Sequence, residues 1–131
     1  MFLLDTDTII YGLKGDPSVK RRLEEHIGDP MGVSVVSLME LYYGAYKSRL
    51  VTVNLARIRA IEAAFEVIPV SRAAAQTFGE LKTGLEKRGT PLDDFDLVLA
   101  ACALTHNFTL VTNNVSHFSR IAELRLVNWA A

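Results

Sequence analysis

Five side chains in this 131-residue sequence place oxygen donors where an element should begin or end. Asp5 and Asp7 follow the apolar run Phe2-Leu3-Leu4, and Glu40 comes shortly after Gly32-Val33-Ser34-Val35-Val36. Asp96 opens an almost wholly apolar stretch, and Asn114 ends Leu110-Val111-Thr112-Asn113-Asn114. Burying a lone carboxylate is costly, so an acid set directly after an apolar strand must find water, a partner or a cation. Donors that are all oxygen, with no Cys or His cluster, suit Mg²⁺ or Mn²⁺ rather than Zn²⁺. Such a cation can activate a water and neutralise charge on a phosphodiester.

Each donor also has a local explanation. Asp5 could cap the helix that follows it, and Asp7 could complement that helix's dipole. Ser37-Leu38-Met39-Glu40 reads as a capping box, which alone would account for Glu40. One of Asp93 and Asp94 suits an N-cap. Asp96 precedes Leu97, Val98 and Leu99, so it is the acid least free to face bulk water. Asn113 and Asn114 could simply form a turn. His26, His106 and His117 lack ligand spacing and read as surface or loop residues. Cys102, alone in an apolar run, reads as a small core residue of a reducing compartment.

The elements that must position these groups follow from periodicity and turn signals. The pattern predicts a strand over 2–5 and a short helix to about Leu13. Val19, Leu23 and Ile27 then share one helix face, closed by Gly28-Asp29-Pro30. A strand over 32–36 leads into a helix over 37–46, and Leu55, Ile58, Ile61 and Phe65 mark the next helix. A brief strand over 66–70 carries Pro69 at an edge or exit. A long helix with Ala74, Phe78, Leu81 and Leu85 stops near Arg88-Gly89, and a buried helix covers 95–104. Strands over 109–112 and 124–127 complete the chain. Alternating strands and helices imply an α/β fold, a mainly parallel sheet of four to five strands covered on both faces, within a single domain over 1–131. In such sheets chemistry gathers beyond the carboxyl ends of the strands.

Half of the residues are hydrophobic, and 14 basic residues face 15 acidic ones for a formal net charge of −1. The chain therefore has no overall attraction for nucleic acid, and any such binding must use local basic patches. No apolar stretch approaches the roughly 20 residues that span a bilayer. Asp5 and Asp7 interrupt the apolar N-terminus, which argues against a signal peptide and makes a cytoplasmic location the expectation.

Leu3-Leu4-Asp5-Thr6-Asp7, the run Ser34 to Gly44, Phe95-Asp96-Leu97-Val98-Leu99-Ala100-Ala101 and Leu110-Val111-Thr112-Asn113-Asn114 resemble the PIN-domain ribonucleases. More closely, they resemble the VapC toxins of VapBC toxin–antitoxin pairs, and the likeness runs nearly end to end. The resemblance implies a PIN-like αβα sandwich and a Mg²⁺-dependent endoribonuclease. Its metal-binding, catalytic acids match Asp5, Glu40 and Asp96, supported by Asp7 and Asn114. Asp5 and Asp96 would fix the ion, while Glu40 would hold or deprotonate a water. Asn114 stands where other PIN domains carry a fourth Asp, a weaker donor for a second metal.

The resemblance further implies a VapB antitoxin, a toxin homodimer and a structured RNA substrate, with initiator tRNA as one option. Lys47, Arg49, Lys14 and the Lys20-Arg21-Arg22 run are the cations that could meet phosphates, although charges on helix faces are usually just solvated. Tyr42, Tyr43 and Tyr46 could stack on bases but are expected to pack in the core or an interface. Three rivals remain on sequence grounds. A haloacid-dehalogenase-like phosphatase would use Asp5 as nucleophile but needs paired acids where Asn113 and Asn114 stand. A receiver domain would want adjacent acids after the first strand and a later Lys. A PIN module could also bind RNA or a partner without cutting.

Overall fold

The computed structural model describes residues 1–131 in full. Five short strands form one sheet: β1 (Phe2–Leu4), β2 (Met31–Ser34), β3 (Glu66–Ile68), β4 (Thr109–Val111) and β5 (Arg125–Val127). All neighbours pair in parallel, in the order β3-β2-β1-β4-β5. Seven helices join them: α1 (Thr6–Leu13), α2 (Pro17–Glu25), α3 (Val35–Lys47), α4 (Val51–Ala64), α5 (Arg72–Lys87), α6 (Asp94–Thr105) and the single turn α7 (Val115–Phe118).

Strand alternation divides the core into two layers. Leu3 and Leu110 face one side, with Ala74 and Leu85 of α5, Leu97, Ala100 and Ala103 of α6, and Phe118 of α7. Leu4, Val33 and Val111 face the other, with Ile9 of α1, Leu38 and Leu41 of α3, and Ile58 and Ile61 of α4. Both faces are covered, giving the expected αβα sandwich. Gly32 permits the close packing of β2 on β3, since a Cβ there would lie 2.9 Å from Ile68 Cγ1 and 3.1 Å from the Glu66 carbonyl oxygen.

The strand order fixes where a site can form. From β1 the chain builds outward through β2 and β3, then returns to add β4 on the opposite side of β1. That reversal opens a crevice beyond the carboxyl ends of β1 and β4. Residues 106–108 alone join α6 to β4, so α6 runs antiparallel to β4 and its N-terminus returns to the same sheet edge. Asn107, at φ 56°, makes that tight turn.

Several sequence expectations shift by a few residues. Two residues expected within strands instead cap the helices that follow. Asp5 is the N-cap of α1 and Ser34 that of α3. Helix α3 thus begins at Val35 rather than Ser37, with two β-branched residues in its first turn, so tertiary position overrides β-propensity. The third strand stops at Ile68, just before Pro69, instead of reaching residue 70. Helix α2 ends at Glu25, which leaves Ile27 outside its face and 86% exposed rather than packed with Val19 and Leu23. Helix α7 was not foreseen; one turn gives too little periodicity to detect. No helix is long and apolar enough to cross a membrane.

Candidate active site

Asp5 both caps and is buried. Its Oδ1 accepts a 2.8 Å hydrogen bond from the Thr8 backbone N–H, and its own N–H donates to the Val111 carbonyl, extending the β1–β4 pairing by one residue. Only 3% of Asp5 is exposed. Burial pushes its pKa above the usual carboxylate range, and the nearby Asp7 charge adds to this. The Thr112 hydroxyl and the Thr8 N–H and hydroxyl oppose that rise. Thr8 is a supporting residue the sequence reading passed over; its hydroxyl also donates to the Val111 carbonyl.

Glu40 is not part of a capping box. Ser34, not Ser37, caps α3, and Ser37 lies buried within the helix with no partner for its Oγ. Glu40 therefore sits in the second turn, free of any capping duty, and its Oε1 accepts a 2.7 Å hydrogen bond from the Thr6 hydroxyl. Thr6 ties α3 to the first residue of α1, across 34 positions of sequence.

The four residues at the head of α6 divide their tasks. Asp93 is the N-cap and accepts from the Phe95 N–H at 3.2 Å, while Asp94 pairs with Lys82 of α5 at 2.9 Å. Asp96 has its pKa pushed up to about 6, first by burial and then by the negative charges of Asp93, Glu40 and Asp5. His117 on α7 pulls the other way. Asp96 thus lies in the fields of Asp5 and Glu40 at one edge of the sheet. His117 is exposed but belongs to this edge, three residues past Asn114, a position whose meaning sequence alone did not reveal. His26 is not a simple surface residue either: it bonds Asp29 at 2.8 Å and stacks on Trp129 with ring centroids 5.1 Å apart.

Asp7 and Asn114 form a pair of their own. The Asn114 amide donates to Asp7 Oδ2 at 3.0 Å, and its backbone N–H donates to the Thr112 hydroxyl. They brace α1 against the loop after β4. Asn113 donates to the Tyr11 hydroxyl at 3.3 Å and leaves its own buried Oδ1 without a partner.

These residues suit a divalent cation by donor type and field, since every candidate donor is an oxygen and a cation would offset both the burial and the neighbouring negative charges that raise the Asp96 pKa. No three acidic, His or Cys side chains close to ligating distance of one point. The acids are gathered at one edge but do not form a rigid cage. Of the aromatic residues nearby, Tyr42 donates to Glu62 at 2.7 Å. Tyr43 and Tyr46 are 68% and 66% exposed, so neither packs in the core of the single chain.

The PIN domain family model matches residues 2–124. The chain is 37% identical, over 98% of both chains, to a protein of Shigella flexneri named tRNA(fMet)-specific endonuclease VapC. It is 33% identical, again over 98% of both, to Ribonuclease VapC2 of Rickettsia felis. The crystal structure of VapBC2 from Rickettsia felis bound to a promoter DNA fragment contains a chain that superposes with a TM-score of 0.92 at 34% identity, covering 98% of each. VapBC from Salmonella typhimurium bound to DNA gives a TM-score of 0.91 at 34% identity, covering 98% of this chain and 97% of that one. A PIN fold carrying Asp5, Glu40 and Asp96 at the reversal of its strand order, with relatives matched end to end, makes this chain a PIN-domain protein of the VapC family.

Proposed function

We propose that this chain is a metal-dependent endoribonuclease, the toxin of a VapBC pair, with Asp5, Glu40 and Asp96 as its catalytic acids. The observation that supports this reading is electrostatic: Asp5, Glu40 and Asp96 come from three separate elements, and Asp96, already raised by burial, has its pKa raised further by the charges of Glu40 and Asp5 beside the reversal of strand order. Like charges are not gathered this way for stability alone.

Asp5 and Asp96 would hold Mg²⁺, with Mn²⁺ an acceptable substitute. When bound, the ion supplies a Lewis acid for phosphate oxygens and lowers the pKa of water. Asp5 is presented rigidly because α1 begins on it and Thr8 fixes its Oδ1. Glu40, oriented by the Thr6 hydroxyl, takes the proton from the attacking water or holds that water in line. Asp7 and Asn114 keep the mouth of the crevice in register through their mutual hydrogen bond. No side-chain nucleophile is required.

Initiator tRNA is the first substrate to test, given the name of the Shigella relative, and a VapB antitoxin is the expected neutralising partner, given the VapBC complexes. The test is induction of the wild type and of Asp5→Asn, Glu40→Gln and Asp96→Asn in bacteria with mapping of new RNA 5′ ends. It is paired with cleavage of purified tRNA(fMet) with and without Mg²⁺. The wild type is expected to produce a small set of new ends and to need the ion. Each variant is expected to lose at least a hundredfold in rate, on the order of 3 kcal/mol of transition-state stabilisation. Equal cleavage by wild type and Asp96→Asn would remove the metal-site mechanism. Binding of RNA without cleavage would establish a non-catalytic PIN module instead.

A further inference from the structure

A groove of about 210 Å³ lies between α1, α3 and α4, and Glu40 forms part of its wall. Two cations, Lys14 at the end of α1 and Arg57 of α4, line it with that acid. We propose that Lys14 and Arg57 hold RNA phosphates beside the one being cut, so that the substrate backbone runs along this groove into the acidic crevice. The proposal rests on the nuclease reading and names how that site takes its substrate.

The need for such groups is electrostatic. A chain of net charge −1 with an acidic cluster at its crevice repels a polyanion, and attraction must come from cations placed beside the acids. The chain's ion pairs occupy Arg21, Arg22, His26 and Lys82. Arg21 and Arg22 share the single carboxylate of Glu25 on the exposed face of α2. Lys14 and Arg57 have no carboxylate partner. The Arg57 guanidinium donates to Asn54 Oδ1 at 3.2 Å, Asn54 donates to Ser48 Oγ at 2.9 Å, and Ser48 donates to the Ala45 carbonyl at 2.6 Å. This chain of bonds anchors the guanidinium to the backbone of α3, the helix that carries Glu40. Gly44 keeps the floor open: beyond its own helix backbone, nothing lies within 4 Å of where a Cβ would stand. A planar guanidinium and a point-charge ammonium across an open channel suit two successive phosphates, with the apolar wall facing ribose.

The experiment uses fluorescein-labelled tRNA(fMet). Its binding is followed by anisotropy in EDTA across a salt series, and its cleavage is followed in Mg²⁺. Relative to wild type, Lys14→Ala/Arg57→Ala is expected to bind about tenfold more weakly, with the slope of log Kd against log salt reduced by about 1.4 to 1.8, two phosphate contacts' worth. KM should rise by a similar factor while kcat stays within twofold. Arg72→Ala/Lys87→Ala, on α5 across the sheet, should change none of these. The same binding contrast without cleavage by the wild type supports the groove and removes the nuclease reading. The proposal is overturned by an unchanged affinity and salt slope, or by a loss confined to kcat. It is also overturned if the double variant binds RNA normally but no longer binds a VapB antitoxin, which would make the groove a protein site.

Discussion

At the scale of single residues the site trades stability for charge. Asp96 titrates near 6, well above an unperturbed Asp, because burial and the Asp93, Glu40 and Asp5 charges disfavour its ionised form. The folded protein therefore binds more protons than the unfolded chain between about pH 4 and pH 6. The contribution of Asp96 to stability is present below that window and is lost as pH rises through it. At neutral pH its ionised side chain opposes folding, so Asp96→Asn in EDTA should raise stability by about 1–2 kcal/mol, allowing for solvent screening of a partly exposed group. A urea titration at pH 7.5 checks this, and the gain should vanish at pH 4. Because a proton on Asp96 competes with a cation, the Mg²⁺ concentration needed for half-maximal wild-type cleavage should fall as pH rises towards about 6. A variant that is no more stable at pH 7.5 would show that burial and the neighbouring charges do not disfavour the ionised Asp96 as the structure implies.

The elements show why sequence located the acids but misjudged what holds them. Asp5, Glu40 and Asp96 were legible because a carboxylate beside an apolar run has few inexpensive solutions. Their bonds were not legible: Thr6 reaches Glu40, and Asn114 reaches Asp7, only through contacts far apart in sequence. The parallel sheet was legible from the alternation of strands and helices, whereas the strand order and the exact caps were not. The clearest case is α3, where Ser37 through Glu40 matched a capping box although the helix is already capped by Ser34 and starts at Val35. The two serines make a direct comparison. Ser34→Ala removes the hydroxyl that accepts from the Val36 N–H at 3.1 Å and should cost about 1 kcal/mol. Ser37→Ala removes a buried hydroxyl without a partner and should be neutral or stabilising. Thermal unfolding of the two variants distinguishes them, and the reverse order would restore the capping box and reduce Glu40 to a structural residue.

At the scale of the whole molecule, the two core layers leave one apolar line in water. Val35, Met39, Tyr43 and Tyr46 fall on one face of α3 and are 37%, 55%, 68% and 66% exposed, with Leu50 just beyond at 63%. Their spacing of four, four and three residues keeps them aligned along the helix. A line of exposed apolar side chains on one helix face is a candidate interaction surface. The resemblance to VapC toxins implies a homodimer, and a two-fold pairing of α3 on α3 would cover the line with its own copy. The expected result in multi-angle light scattering at micromolar concentration is a particle of twice the 14.5 kDa chain mass. Met39→Lys/Tyr43→Lys should return it to a single chain while leaving the fold intact, since neither residue contributes to either core layer. Because Glu40 sits on the same helix but is half-buried and points its Oε1 at Thr6, the separated chain should still cleave RNA. A double-mass particle that survives both lysines would place the contact elsewhere. A monomeric variant without activity would mean that the two crevices depend on each other.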